Sequence, residues 1–304
     1  PIEAKEDMFL DENGNVIKGL STSSFLASGI PGTVDGMFKI HEKYGSFPMN
    51  KLISPAIELA EKGFVLSNFQ AEYFNKNRGK FSKNAETKKI FVKENLWKRG
   101  DLFKQEDLAK TLKRISAFGR DEFYSGETAR NIVNYFQKNG GIFTENDFLN
   151  YQSTFKQSLC STFIDYDVCS MALPSSGGIV LSQSLNILEN FDLNSFDHNS
   201  LEYNRILTEA MRFSFADRSE FLGDEDFNNF DINNITSKKY AKTLSTIIKG
   251  SKNKIAIDSP GKYFTESEET THFSIIDSNG NAVSNTYTLN TAYGSGIIAK
   301  GTGI

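Results

Sequence analysis

Apolar residues recur at helical spacing over most of the first 220 positions, and the pattern changes to alternation near the end of the chain. Leu108, Leu112 and Ile115, followed by Gly119, predict a helix over 106–117. Ala129, Ile132, Val133 and Phe136 line one face of a predicted helix over 126–138, which Asn139-Gly140-Gly141 ends. Thr144 caps a short helix running through Phe148. Ser54-Pro55 reads as the start of another helix, with Ser as cap and Pro in the first helical position, closed by Gly63. Residues 177–190 and 200–219 continue the helical series, so the helices are expected mainly between 36 and 220. Two strands are expected over 159–173. The polar, Asn/Lys/Ser-rich stretch 224–269 predicts loops with one short helix near 238–249.

Residues 271–298 alternate and carry β-branched side chains. His272-Phe273-Ser274-Ile275-Ile276 predicts one strand and 282–289 its return, joined by Asp277-Ser278-Asn279-Gly280-Asn281. Two registers are open. A two-residue Asn279-Gly280 turn sets residue 271 opposite 288, whereas a three-residue loop closing on a left-handed Gly280 sets 270 opposite 288. Either register brings Thr270 and Thr271 to Thr286, Thr288 and Asn290. Taken as pattern alone, these are ordinary strand residues, because Thr favours strands and cross-strand Thr pairs are common.

Composition narrows the class. The 304 residues suit one or two domains, and 38% hydrophobic with 24% charged residues is ordinary for a globular protein. The 26 Phe point to an aromatic-rich core. A net charge of −4 without a basic stripe argues against nucleic acid as a partner. No apolar run approaches the ~18 residues of a membrane span. With three His and no CxxC or HExxH motif, no metal site is expected. Cys160 and Cys169 flank a short hairpin and read first as two small packing residues, with a disulfide across it as the alternative.

The segment Thr270-Thr271-His272-Phe273-Ser274, then Asp277-Ser278-Asn279-Gly280-Asn281-Ala282-Val283, then Thr286-Tyr287-Thr288-Leu289-Asn290-Thr291 and Gly294-Ser295-Gly296, resembles the processing-site segment of γ-glutamyltransferase (γ-glutamyl transpeptidase) precursors. Ser28-Gly29-Ile30-Pro31-Gly32-Thr33-Val34, Asp121-Glu122-Phe123-Tyr124, Asn139-Gly140-Gly141, Pro174-Ser175-Ser176-Gly177-Gly178 and Ala216-Asp217-Arg218-Ser219-Glu220-Phe221-Leu222-Gly223-Asp224 extend the likeness along nearly the whole chain in the family's order.

The resemblance implies an α+β N-terminal-nucleophile hydrolase fold, a four-layer αββα sandwich that this chain holds incompletely. It implies a self-inflicted cut between Glu269 and Thr270. Residues 1–269 would then belong to a mainly helical large subunit, and 270–304 would begin the small subunit. Thr270 becomes the nucleophile, with its new α-amine as base, and an amine pKa near ~7.7–8.0 suits that task. Thr288 is expected to orient Thr270, Asn290 to hold the α-amino/α-carboxylate end of the γ-glutamyl group, and Thr271 and Thr286 to support them. His272 faces away from the Thr271 side and is not favoured as a base. The expected substrates are glutathione and other γ-glutamyl compounds, with water, amino acids or dipeptides as acceptors. No metal or organic cofactor is implied, and a periplasmic or secreted location is.

The family's carboxylate-binding Arg would precede Pro1, and its Ser pair, acidic residue and Gly-Gly oxyanion hole would follow Ile304. Both ends therefore read as cuts, and the piece alone is expected to be inactive or nearly so. Two other readings remain: a related cephalosporin-acylase-like amidase and an inactive truncated scaffold. Pro174–Gly178 is read as close packing rather than anion binding, and Asp217-Arg218 as a structural ion pair.

Overall fold

The computed structural model describes residues 1–251 and 270–304. The expectations for 252–269, Glu269 among them, lie outside the described residues. The chain divides into two compact units, Pro1–Thr154 with Ser267–Ile304, and Phe155–Glu266. This division is spatial and is distinct from the covalent one expected at 269/270.

The first unit begins with α1 (Leu20–Ser23), α2 (Thr33–Tyr44) and α3 (Met49–Lys62). Here the structure corrects the sequence reading: α3 starts after Pro48, and Pro55 lies inside it. Pro55 cannot donate to the Lys51 carbonyl. The Ser54 hydroxyl donates to that oxygen instead, at 3.0 Å, so Ser54 acts as a local repair rather than a cap. Gly63 closes the helix as expected, at φ +83°. The short strand β1 (Phe64–Val65) pairs with β2 (Leu102–Phe103), with Phe64 opposite Phe103.

Between these strands run α4 (Asn68–Lys76), α5 (Arg78–Phe81) and α6 (Ala85–Phe91). A Ser67/Gln70 capping box opens α4. Phe74, Phe81, Phe91 and Phe103 bury together with Leu66 and Ala71, the aromatic core that the Phe count suggested. Ring centroids lie 4.8 Å apart for Phe81–Phe91 and 5.0 Å for Phe74–Phe103.

Next come α7 (Glu106–Phe118), α8 (Arg120–Tyr124), α9 (Glu127–Lys138) and α10 (Glu145–Leu149). The expected Thr144 cap of α10 is a full capping box with Asp147. Ile115, Phe123, Ile132, Val133, Phe136 and Phe148 form this region's core. Asp35, buried in the first turn of α2, accepts from Arg120 Nε and from the backbone and hydroxyl of Ser153. Burial pushes its pKa up, but the Ser153 and Arg120 hydrogen bonds outweigh that and hold it at about 2. Tyr124 Oη ties the preceding turn down, accepting from Asp35 N at 3.1 Å and donating to Pro31 O at 2.7 Å.

In the second unit, β3 (Leu159–Phe163) and β4 (Tyr166–Ser170) form the expected hairpin. Cys160 and Cys169 face each other across it and are joined by a disulfide, which corrects the preferred reading of two free packing residues. Directly opposed positions, with Cα atoms 4.1 Å apart, bring the two sulfurs within bonding reach. The helix α11 (Gly177–Leu188) packs against α12 (Leu201–Phe221) and α14 (Lys238–Gly250), and α13 (Asn233–Thr236) is a short turn before α14. A Cβ on Gly178 would lie 2.1 Å from the Met171 carbonyl oxygen, so this glycine permits close packing. Asp217 and Arg218, expected in a structural ion pair, do not pair with each other, although their helix carries the Arg205–Glu202 and Arg212–Glu209 ion pairs. Asp217 accepts from Gln183 Nε2 and Tyr240 Oη, and Arg218 Nε donates to Ser176 Oγ at 2.8 Å. Consecutive helix residues point 100° apart, which turns the two side chains toward different neighbours.

Strands β5 (Thr270–Ile276) and β6 (Ala282–Thr288) complete the described chain. Among the described residues the strands form three separate two-stranded antiparallel sheets beside many helices. This mixture of helices and antiparallel strands is the expected α+β class. No helix of the described residues is long and apolar enough to cross a membrane.

Candidate active site

The candidate site is built on the β5–β6 hairpin. Its turn settles the register. The Asp277 carboxylate accepts from the backbone N–H of Asn279 and Asn281 at 2.9 Å each, and from Asn281 Nδ2 at 2.8 Å. Gly280 N donates to Asp277 O at 3.1 Å, and Gly280 takes φ +82°. Asn281, by side chain and backbone, lowers the Asp277 pKa. This is the three-residue loop closing on a left-handed glycine, so Thr270 pairs with Thr288 and Thr271 with Tyr287.

Alternation sorts the side chains by face. Thr270, His272, Ser274, Ser284, Thr286 and Thr288 share one face. Thr270 Oγ1 donates to Thr288 Oγ1 at 3.3 Å. Thr288 Oγ1 also accepts from Asn290 N at 2.9 Å, so one hydroxyl links the start of β5 to the loop after β6. Asn290 itself takes a left-handed backbone, φ +71°, which Asn tolerates better than most residues. His272 Nδ1 lies 2.9 Å from Thr286 Oγ1, and its Nε2 lies 3.2 Å from Ser284 Oγ and 3.3 Å from Ser274 Oγ.

The structure thus gathers Thr270, Thr288 and Asn290 at one end of the hairpin and sets Thr286 one pair further along the same face. Thr271 falls on the opposite face, with Phe273, Ile275, Val283 and Tyr287. His272 is turned from the Thr271 side, as alternation predicted, and this places it on the Thr270 face. Both faces of the hairpin are largely exposed. No group of three or more His, Cys, Asp or Glu among the described residues could hold a metal ion.

Two other motifs that carried the family likeness prove structural. Glu122 is buried and accepts from Arg114 Nε at 2.7 Å and from Thr128 Oγ1 at 2.7 Å. Gly32 lies against Tyr151: a Cβ there would sit 2.1 Å from the phenol oxygen. Sequence reading did not single out Lys80, whose ammonium donates to the carbonyls of Ala292 and Gly294 beyond β6. Local spacing cannot reveal a contact across more than 200 positions.

The gamma-glutamyltranspeptidase family model matches residues 1–304. The chain is 43% identical over 308 residues to the glutathione hydrolase proenzyme of Escherichia coli (strain K12), covering 100% of this chain and 53% of that protein. It is similar to the crystal structure of Helicobacter pylori gamma-glutamyltranspeptidase, with a TM-score of 0.79, 41% identity, and coverage of 82% of this chain and 72% of that one. Cephalosporin acylase from Bacillus halodurans also has a TM-score of 0.79, over 93% of this chain and 52% of that one, and its 22% identity speaks for the fold alone. The chain spans about half the length of the curated relatives it matches. From its first residue to its last, the chain belongs to the gamma-glutamyltranspeptidase family and has an α+β architecture of the N-terminal-nucleophile hydrolase kind.

Proposed function

We propose that the protein is a γ-glutamyltransferase and glutathione hydrolase that cuts itself before Thr270. The observation that carries this reading is the pairing of the Thr270 and Thr288 hydroxyls at the first residue of β5, inside a chain that matches the family over its whole length. In the cut, Thr270 Oγ1 attacks the Glu269 carbonyl carbon, and its proton passes to the departing amide nitrogen as the C–N bond breaks. An ester and a free α-amine result. Water then cleaves the ester, leaving a Glu269 carboxylate and restoring the Thr270 hydroxyl. Large and small subunits are the products.

In turnover the Thr270 amine takes the hydroxyl proton while the oxygen attacks the γ-glutamyl carbonyl. The proton leaves with the amine of the donor, and water or an acceptor amine then releases the acyl group. Thr288 orients the nucleophile, and Asn290 holds the amino-acid end of the γ-glutamyl group. Thr286, bonded to His272, supports Thr288 from the next pair. Thr271 contributes through its backbone, since its side chain lies on the other face. This chemistry calls for neither a metal nor an organic cofactor. An exported location, periplasmic or secreted, fits the Cys160–Cys169 disulfide, which persists in oxidising compartments.

Mass spectrometry of the full-length protein, wild type beside Thr270→Ala, after incubation at neutral pH tests the reading. Wild type should split between Glu269 and Thr270 while the variant stays whole. A folded wild type that stays whole would return Thr270 to an ordinary strand residue. Faster turnover of a glutaryl amide than of a γ-glutamyl anilide would move the assignment to an acylase.

A further inference from the structure

Asn290 sits in a loop whose backbone is costly by itself. Asn290 and Tyr293 both take left-handed conformations without being glycine, at φ +71° and +57°. Gly294 and Gly296 follow at φ +52° and +74°. Asn tolerates such a conformation, but a bulky residue such as Tyr293 holds it only where the surroundings impose it. The imposing groups come from α4, α5 and α6, far back in the sequence.

The Tyr293 ring, 38% exposed, lies over Phe74, Phe81 and Phe91, with centroids 5.9, 5.2 and 5.1 Å away, and 5.8 Å from Tyr73. Lys80 Nζ donates to Ala292 O at 2.8 Å and to Gly294 O at 2.9 Å, one carbonyl on each side of Tyr293. The Lys80 stem runs beside Gly296, where a Cβ would meet Lys80 Cε at 3.0 Å. Downstream, the buried Thr87 hydroxyl donates to Gly296 O at 2.9 Å and accepts from Ile298 N at 3.0 Å. The loop is therefore pinned on its far side by a cation and an aromatic pocket. On its near side Asn290 N donates to Thr288 Oγ1, which ties the loop to the end of β6.

We propose that Lys80 and Tyr293 are positioning residues: they clamp the 291–296 loop onto the Phe core and thereby fix where Asn290 presents its side chain beside Thr270. The proposal rests on the γ-glutamyl reading for what Asn290 binds. Ala292 is two residues from Asn290, a span of about 7 Å at most, and the Thr291 hydroxyl bonded to Gly294 O links the clamped carbonyl to the residue after Asn290, so a shift at the clamp is passed to Asn290. The clamp should act on substrate holding more than on the chemical step, because the nucleophile belongs to β5 and is held by strand pairing.

The test compares wild type with Lys80→Met, Lys80→Arg and Tyr293→Leu, each made in the full-length protein of which these residues are part. Lys80→Met keeps the apolar stem and removes the donors, whereas Lys80→Arg keeps donors. Amide hydrogen exchange of 289–296 should speed up about tenfold or more in Lys80→Met and Tyr293→Leu, and Lys80→Arg should recover most of the protection. With a γ-glutamyl anilide, KM should rise about tenfold in the first two variants while kcat stays within about threefold. Unchanged exchange in Lys80→Met overturns the clamp whatever the activity. Faster exchange with unchanged KM overturns its action on Asn290. If wild type itself shows no γ-glutamyl turnover, the functional reading falls, and the exchange comparison still decides whether the clamp exists.

Discussion

Thr270 faces Thr288 directly across the hairpin, with hydroxyl oxygens 3.3 Å apart. The pairing depends on a turn seven residues away. A two-residue turn would slide the strands by one position and place Thr271 opposite Thr288, leaving Thr270 on the face opposite to Thr288. Asp277 prevents this by collecting the N–H groups of Asn279 and Asn281.

The Thr288 hydroxyl should matter more than its bulk. Thr288→Val keeps the shape and removes the link between Thr270 Oγ1 and Asn290 N. Self-cleavage and γ-glutamyl turnover are expected to fall by about tenfold to a hundredfold, a loss of roughly 1.4–2.7 kcal/mol. Thr288→Ser should stay within about threefold. Rates of appearance of the cleaved chain and of released anilide, measured on the three proteins side by side, decide this.

Acid should weaken the first unit through Asp35. Its pKa is lowered from an ordinary 3.8 to about 2, so its contribution is complete above about pH 4 and is lost as the pH falls toward 2. The contribution is on the order of 2 kcal/mol. Urea unfolding of wild type and Asp35→Asn from pH 6 to pH 2 should show a gap in stability that narrows across that window. A gap independent of pH would mean that the Asp35 charge is not what the Arg120 and Ser153 contacts stabilise.

The Cys160–Cys169 bridge closes a loop with a sequence separation of 9. Removing it frees that loop in the unfolded chain and should lower stability by roughly 2–3 kcal/mol. The double variant Cys160→Ser/Cys169→Ser, compared with wild type by urea unfolding with and without reductant, checks this. Reductant should weaken wild type and leave the variant unchanged.

Gly178→Ala should destabilise the second unit. The added methyl meets the Met171 carbonyl at 2.1 Å, a backbone atom that cannot swing aside. A cost of about 1–3 kcal/mol is expected from such overpacking. Gly140→Ala is the control for a surface glycine, since nothing lies within 4 Å of its Cβ position; its φ of +83° predicts a smaller loss from backbone strain alone. Thermal unfolding of the two variants should rank them in that order.

The order of motifs and the local elements were legible in the sequence. The Gly119 stop after α7, the Thr144 cap of α10 and the Thr270–Thr288 hairpin are short-range features, written by turn chemistry and spacing within a few residues. Even there, two registers stayed open, because choosing between them required the φ of Gly280 and the partners of Asp277. Pro55 was misread as a helix start because Ser-Pro is a good opening signal. Only the packing of α3 on α7 makes it worthwhile to carry a proline inside the helix, with Ser54 covering the stranded carbonyl.

Contacts between distant segments belong to the tertiary structure alone. Asp217 faces Gln183 and Tyr240 rather than its neighbour Arg218, and Cys160 meets Cys169 as a covalent pair. The loop carrying Asn290 is held by Lys80 and an aromatic pocket more than 200 positions earlier. Sequence determined which residues are candidates for the site, because Thr270, Thr288 and Asn290 fall within one hairpin and its exit. Tertiary structure decided how that exit is held, because the groups imposing its strained backbone are near only once the Phe core has formed.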